Sequence, residues 1–184
     1  MEQLLDIING CCKNDRGSQR SLYEQYYGYL LRVVFRYVDT YEEARQLTDN
    51  AFIAIFRNFT HFRFARKNEP GFHLTAWMKR IVIAAIIGEL RPKINWSLQG
   101  KLPGPRKEGA PLPPLETPAF YAEVIETIKR LPPVHRAVFN LHVIDRYPPM
   151  EIAKMLGISE QTITSCIRIS REYCIKSLFT DAHL

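Results

Sequence analysis

Three observations predict an all-α protein of two small helical bundles joined by a Pro-rich linker. No stretch alternates apolar and polar residues for long enough to make a strand. Apolar residues recur instead at helical spacing, in segments opened by capping residues. Between Pro92 and Pro118 that period vanishes, and seven of the twelve prolines fall there with Gly100, Gly104 and Gly109. Such a stretch is a semi-rigid tether. The expected division is a helical domain over 1–93, a linker over 94–119 and a second helical domain over 120–184. Neither bundle is large enough to be very stable alone.

Taken in order, Glu2 to Cys12 reads as a short amphipathic helix with Leu4, Leu5, Ile8 and Cys12 on one face. Asn14 to Gly17 has turn chemistry. Ser18 is expected to cap a helix running to about Val38, with Leu22, Tyr26, Leu30, Val33, Val34 and Tyr37 inward. Thr40 with Glu43 forms a capping-box pattern that starts a third helix, Tyr41 to about Phe59. Its inward stripe is Ala44, Leu47, Ala51, Phe52, Ile55 and Phe59. His61 to His73 is a loop rich in Phe and Arg. Thr75 then opens a helix with Trp77, Ile81, Ala84, Ala85 and Leu90 inward, ended by Pro92. Beyond the linker, helices are expected over Phe120–Leu131 and Pro133–Ile144.

The most specific stretch is Pro149 to Leu178, a helix, a sharp turn and a second helix. Pro149 suits a first helical position, where its missing N–H costs nothing. Ile152, Ala153 and Leu156 share a face. Gly157 tolerates the left-handed conformation that ends a helix. Ser159 is an N-cap and Glu160 favours the dipole of the first turn. Ile163, Cys166, Ile167 and Cys174 make the buried stripe of the second helix. The pattern is that of a helix-turn-helix, although a helical hairpin in a bundle also carries it. Its outward residues are Glu160, Gln161, Thr162, Thr164, Ser165, Arg168 and Arg171. Gln pairs with adenine, Arg with guanine or phosphate, and Ser or Thr with either.

The totals bound the class. The chain has 184 residues, 46% of them apolar, and a net charge of +6. Residues 1–93 hold +4 of that charge and residues 120–184 only +1. A basic balance fits nucleic-acid binding, but the near-neutral C-terminal part alone is expected to bind DNA feebly. No apolar run is long enough to span a membrane, and Met1 to Cys12 lacks a basic leader region. Cys11, Cys12, Cys166 and Cys174 show neither zinc nor disulfide spacing, so reduced thiols in a cytoplasm are expected. The five His lack ligand spacing, and no P-loop or GxSxG occurs, which argues against an enzyme with a metal, a cofactor or a small-molecule substrate.

The order of these segments resembles the small, two-domain sigma factors of bacterial RNA polymerase, the extracytoplasmic-function group. SLYEQYYGYLLRVVFRYV, EEARQLTDNAFIAIFRNF and FHLTAWMKRIVIAAIIGELR carry the resemblance before the linker. LPPVHRAVFNLHVIDRYPPMEIAKMLGISEQTI carries it after. The resemblance implies that the chain binds core RNA polymerase and promoter DNA, and that an anti-sigma protein is a further candidate partner. It implies that the helix over Tyr41–Phe59 docks on polymerase, through Leu47, Asp49, Asn50, Phe52, Ile53, Phe56 and Arg57, with Phe52 and Phe56 as exposed apolar anchors. It implies that the loop and the next helix read and open the −10 element. Phe62, Arg63, Phe64, Arg66, Lys67, Trp77, Lys79, Arg80 and Arg91 are the candidates there. The loop aromatics would stack unpaired bases while its cations hold phosphates, with core packing of the same Phe as the other reading. The helix-turn-helix would read the −35 element.

The chain also departs from the family. Docking positions that usually carry an acid, a Gln-acid pair and an aromatic hold Gln46, Asp49, Asn50 and Phe52. Ala84 and Gly88 stand where an Asn and an Asp are usual, and Pro92 replaces the second of two terminal Arg. Thr164, Cys166 and Ile169 occupy positions that are often basic. Two functional readings follow: a sigma factor that starts transcription at specific promoters, or a sigma-like DNA-binding regulator that no longer opens them.

Overall fold

The computed structural model describes residues 2–62, 70–94, 102–104 and 113–179. Among them every regular element is helical. Contacts divide the chain into two compact units, Met1–Ile86 and Ile87–Leu184.

The first unit is built from α1 (Glu2–Cys12), α2 (Arg16–Phe35), α3 (Tyr41–Asn58), a tight turn at Phe59–His61, and most of α4 (Pro70–Leu90). On α1 the inward thiol is Cys11 and not Cys12. Cys11 is fully buried, and burial pushes its thiol up to about 12. Cys12 is half-buried and donates to the Phe59 carbonyl at 3.7 Å. The cap of α2 is Asp15, three residues before the expected Ser18. Asp15 is extended (φ −67°, ψ 121°), and its Oδ2 accepts from the Ser18 N–H at 2.7 Å. Asp and Ser cap equally well, so composition alone does not choose between them. The Ser18 side chain faces Gly10 instead. A Cβ added to Gly10 would overlap Ser18 Oγ and lie 2.6 Å from Ser18 Cβ, so α1 and α2 approach closely there.

Thr40 caps α3 as expected, accepting from the Glu43 N–H at 3.2 Å. Ala44, Leu47, Ala51, Phe52, Ile55 and Phe59 are all buried. The helix α4 begins at Pro70, five residues before the expected start at Thr75. Its buried side is Leu74, Met78, Val82, Ile83, Ile86, Ile87 and Leu90. Only Leu90 of the expected stripe belongs to it. Ala84 is exposed, while Trp77, Ile81 and Ala85 are half-buried. This helix is apolar on nearly every side, and a helical period can pick a face only when the other faces are polar.

The second unit contains α5 (Pro118–Lys129), α6 (Pro133–Phe139), α7 (Pro149–Leu156) and α8 (Glu160–Phe179). Thr117 caps α5 by accepting from the Phe120 N–H at 3.2 Å, so that helix starts two residues early. The expected helix Pro133–Ile144 holds its α geometry only to Phe139. Asn140–Ile144 widens into a π turn, in which the Asn140 carbonyl accepts from the Asp145 N–H at 2.9 Å. Ile128, Leu131, Phe139, Tyr173 and Cys174 form a core cluster. Leu102, from the stretch read as linker, packs against it, and Tyr173 donates its hydroxyl to the Gly104 carbonyl at 3.5 Å.

Candidate nucleic-acid interface

The helix-turn-helix is assembled as its residue types dictate. Gly157 sits at φ +72°, ψ 32°, and its N–H and that of Ile158 both donate to the Ala153 carbonyl, at 2.8 and 3.2 Å. A left-handed residue costs a side-chain-bearing residue roughly 1–2 kcal/mol, which is why Gly stands there. Ser159 Oγ then accepts from the Thr162 N–H at 3.1 Å and starts α8. Ile163, Cys166, Ile167 and Cys174 are buried as expected, joined by Ser170, Tyr173, Ser177 and Leu178. Beneath the motif, Cys166 Sγ lies 4.0 Å from His135 Nε2. Burial holds that imidazole below its ordinary value and pushes the Cys166 thiol up to about 11, so both are neutral interior groups.

The opposite side of α8 exposes Glu160, Gln161, Thr164, Ser165, Arg168 and Arg171, with Thr162 half-buried. Part of this face is already bonded. Thr164 Oγ1 donates to the Glu160 carbonyl at 3.0 Å, and Thr162 Oγ1 lies 2.7 Å from Ser159 Oγ. Arg168 pairs with Glu172 at 2.9 Å, both side chains being more than half exposed. An exposed pair of this kind is weak.

On α3 the candidate docking residues separate by side. Leu47 and Phe52 are core, so Phe52 is no exposed anchor: its ring is 2% exposed, 4.7 Å from that of Tyr23 and 5.8 Å from that of Phe56. Asn50, Ile53 and Arg57 face outward, Ile53 half exposed at 50%. Asp49 and Phe56 are half-buried. Tyr23, which the sequence did not single out, donates its hydroxyl to Asp49 Oδ1 at 3.0 Å. Burial first, then the Asp49 carboxylate, pushes that phenol up to about 12. The two residues lie 26 positions apart on different helices, and no local spacing announces the pair.

Of the −10 candidates, Phe62 is buried, its ring 4.9 Å from Trp77 and 5.8 Å from Phe59. Core packing therefore claims it, and it is not a free stacking platform. Trp77 is half-buried and meets Phe59 edge to face at 5.3 Å. Arg63, Phe64, Arg66 and Lys67 lie outside the described residues. Lys79 is half-buried; Arg80, Ala84, Gly88 and Arg91 are exposed, at a spacing that keeps them on one side of α4 and its end. A Cβ added to Gly88 would meet nothing within 4 Å. Within the second unit, Arg91 donates to the Met155 and Lys154 carbonyls at 3.0 and 3.4 Å, at the C-terminal end of α7.

Among the described residues no group of His, Cys, Asp or Glu is placed to hold a metal ion, and no helix is long and apolar enough to cross a membrane. Residues 22–91 match the family model for Sigma-70 region 2, and residues 121–171 match that for Sigma-70, region 4. No curated protein matches the chain.

Proposed function

The chain belongs to the sigma-70 family, as a small two-domain factor of the extracytoplasmic-function type, and from that premise we propose that it binds core RNA polymerase and directs it to a specific set of promoters. The observation that carries the proposal is the pairing of both regions on one chain, in order, across the Pro-rich stretch. In this reading Asp49, Asn50, Ile53, Phe56 and Arg57 meet the polymerase. Trp77, Lys79, Arg80 and Arg91 act at the −10 element, with Arg63, Phe64, Arg66 and Lys67 of the preceding stretch of sequence. Gln161, Thr162, Thr164, Ser165, Arg168 and Arg171 act at the −35 element, and Glu160 tempers the charge of that face. The outward Ile53 and half-buried Phe56 also suit an anti-sigma protein competing for the same helix. The place of work is the cytoplasm, where polymerase and promoters are.

One observation favours a second reading, a sigma-like regulator that binds without opening promoters. Ala84 and Gly88 are exposed on the side of α4 that carries Arg80, where family members usually carry hydrogen-bonding side chains. Each good base contact is worth about 1–3 kcal/mol, so their absence weakens −10 recognition. Reconstituted transcription separates the two. Core polymerase, this chain and a genomic promoter library should yield start sites that depend on the chain. Firm polymerase binding without specific starts would support the second reading. Absence of both polymerase binding and starts would reject the sigma factor and leave only DNA binding by the helix-turn-helix.

A further inference from the structure

Resting on the polymerase-binding reading above, we infer that Tyr23 is a positioning residue for docking: its phenol aims the Asp49 carboxylate at a cationic group of the polymerase. Asp49 is the one carboxylate left among the family's docking positions, and it stands half-buried on α3. Asn50 lies beside it, Ile53 one turn on, and Arg57 a turn beyond that. A short flexible carboxylate at such a site samples several rotamers, and each idle rotamer subtracts from affinity.

The bond from Tyr23 removes that freedom. The hydroxyl takes Oδ1 at 3.0 Å, and a carboxylate has a second oxygen that can accept from an Arg or Lys. The phenol cannot swing away, because its ring is held on two sides. Tyr27 lies 4.9 Å from it and Phe52 lies 4.7 Å from it, centroid to centroid. Phe52 is itself core. The packed aromatics of α2 and α3 thus fix a hydroxyl, and the hydroxyl fixes a carboxylate. Hydrogen bonds to an ionised acceptor are about twice as strong as neutral ones, so the aim holds in water.

The test is a double-mutant cycle on the full chain, read as affinity for core polymerase. Tyr23→Phe keeps the ring stack and removes only the donor. It should weaken binding about fivefold, the worth of one modest hydrogen bond, and lower the unfolding midpoint by only about 4–8 °C, so that the chain stays folded in the assay. In an Asp49→Ala background the same change should cost less than about twofold, because a positioning residue has nothing left to aim. Full affinity for Tyr23→Phe would overturn the inference, and so would an equal loss in both backgrounds. Independently of polymerase, Asp49→Asn should lower the titration of the Tyr23 phenol from about 12. An unmoved titration would show that the pair is not made in solution and would overturn the inference. A wild-type chain that fails to bind polymerase at all would overturn the sigma reading and the docking role together. Wild-type binding with an indifferent Tyr23→Phe would overturn the docking role alone.

Discussion

Phe52 and Ile53 are neighbours on α3, one turned into the core and the other half exposed, and replacing each with Ala should separate folding from docking. Phe52 is 2% exposed and Ile53 is 50% exposed. Removing a buried Phe side chain costs about 3–5 kcal/mol, from lost transfer energy and the cavity left behind. The Phe52 ring also contacts Tyr23, Tyr27 and Phe56. Each aromatic pair adds about 0.5–1.5 kcal/mol beyond area burial, which places the loss at the upper end of that range. A small bundle has only about 5–10 kcal/mol in total, so Phe52→Ala should bring the first unit close to unfolding. Ile53→Ala should change stability by less than about 0.5 kcal/mol, as exposed substitutions do. Its exposed half is still available to a partner. Burying a whole Ile is worth about 1.5–3 kcal/mol, so half of one is worth about 1 kcal/mol, or about fivefold in affinity. Urea unfolding followed by circular dichroism measures the first effect, and titration of labelled core polymerase the second. Wild-type unfolding of Phe52→Ala would refute the core placement of that ring. Full polymerase affinity of Ile53→Ala would refute the docking role of α3's outward face.

Two glycines should respond oppositely to the same change. Gly10→Ala drives a Cβ into Ser18 and should cost about 1–3 kcal/mol of overpacking, whereas Gly88→Ala, in a helix with open space around it, should gain about 0.5–1 kcal/mol; equal unfolding midpoints would contradict the packing described. Arg168→Ala should flatten the salt dependence of −35 binding by a slope of about one, and Glu172→Gln, which frees Arg168 from its 2.9 Å pair, should tighten binding at low salt; a filter-binding series over salt concentration decides both. Burial holds His135 below its ordinary 6.5, so the unfolded chain takes up a proton that the folded one refuses. That contribution to stability is complete above about pH 6.5 and is lost as pH falls below it. Denaturation at successive pH values should show a steeper acid loss in wild type than in His135→Gln, and identical profiles would remove His135 as the cause.

The helices were legible because their ends are chemically marked. Thr40, Gly157 and Ser159 occupy the caps their side chains suit, and α8 buries the stripe its period predicts. Legibility failed where two residues could play one part or where a pattern had no contrast. Asp15 displaced Ser18 as a cap because both offer an oxygen at the right reach. The face of α4 was misread because apolar residues surround it. Aromatics were the hardest to place: Phe52 and Phe62 suit a docking surface or a core equally well by type, and both are core.

What the sequence determined by itself is therefore local and additive: helical class, most helix ends, the turn at Gly157 and the exposed polar side of α8. These depend on residues within a few positions of one another. What only the tertiary structure decided is the direction in which ambiguous side chains point. Tyr23 reaches Asp49, Leu102 leaves the linker for a core, and Phe62 closes over Trp77. Each joins residues far apart in the chain, and a helical period says which residues share a face but not which partner that face will meet.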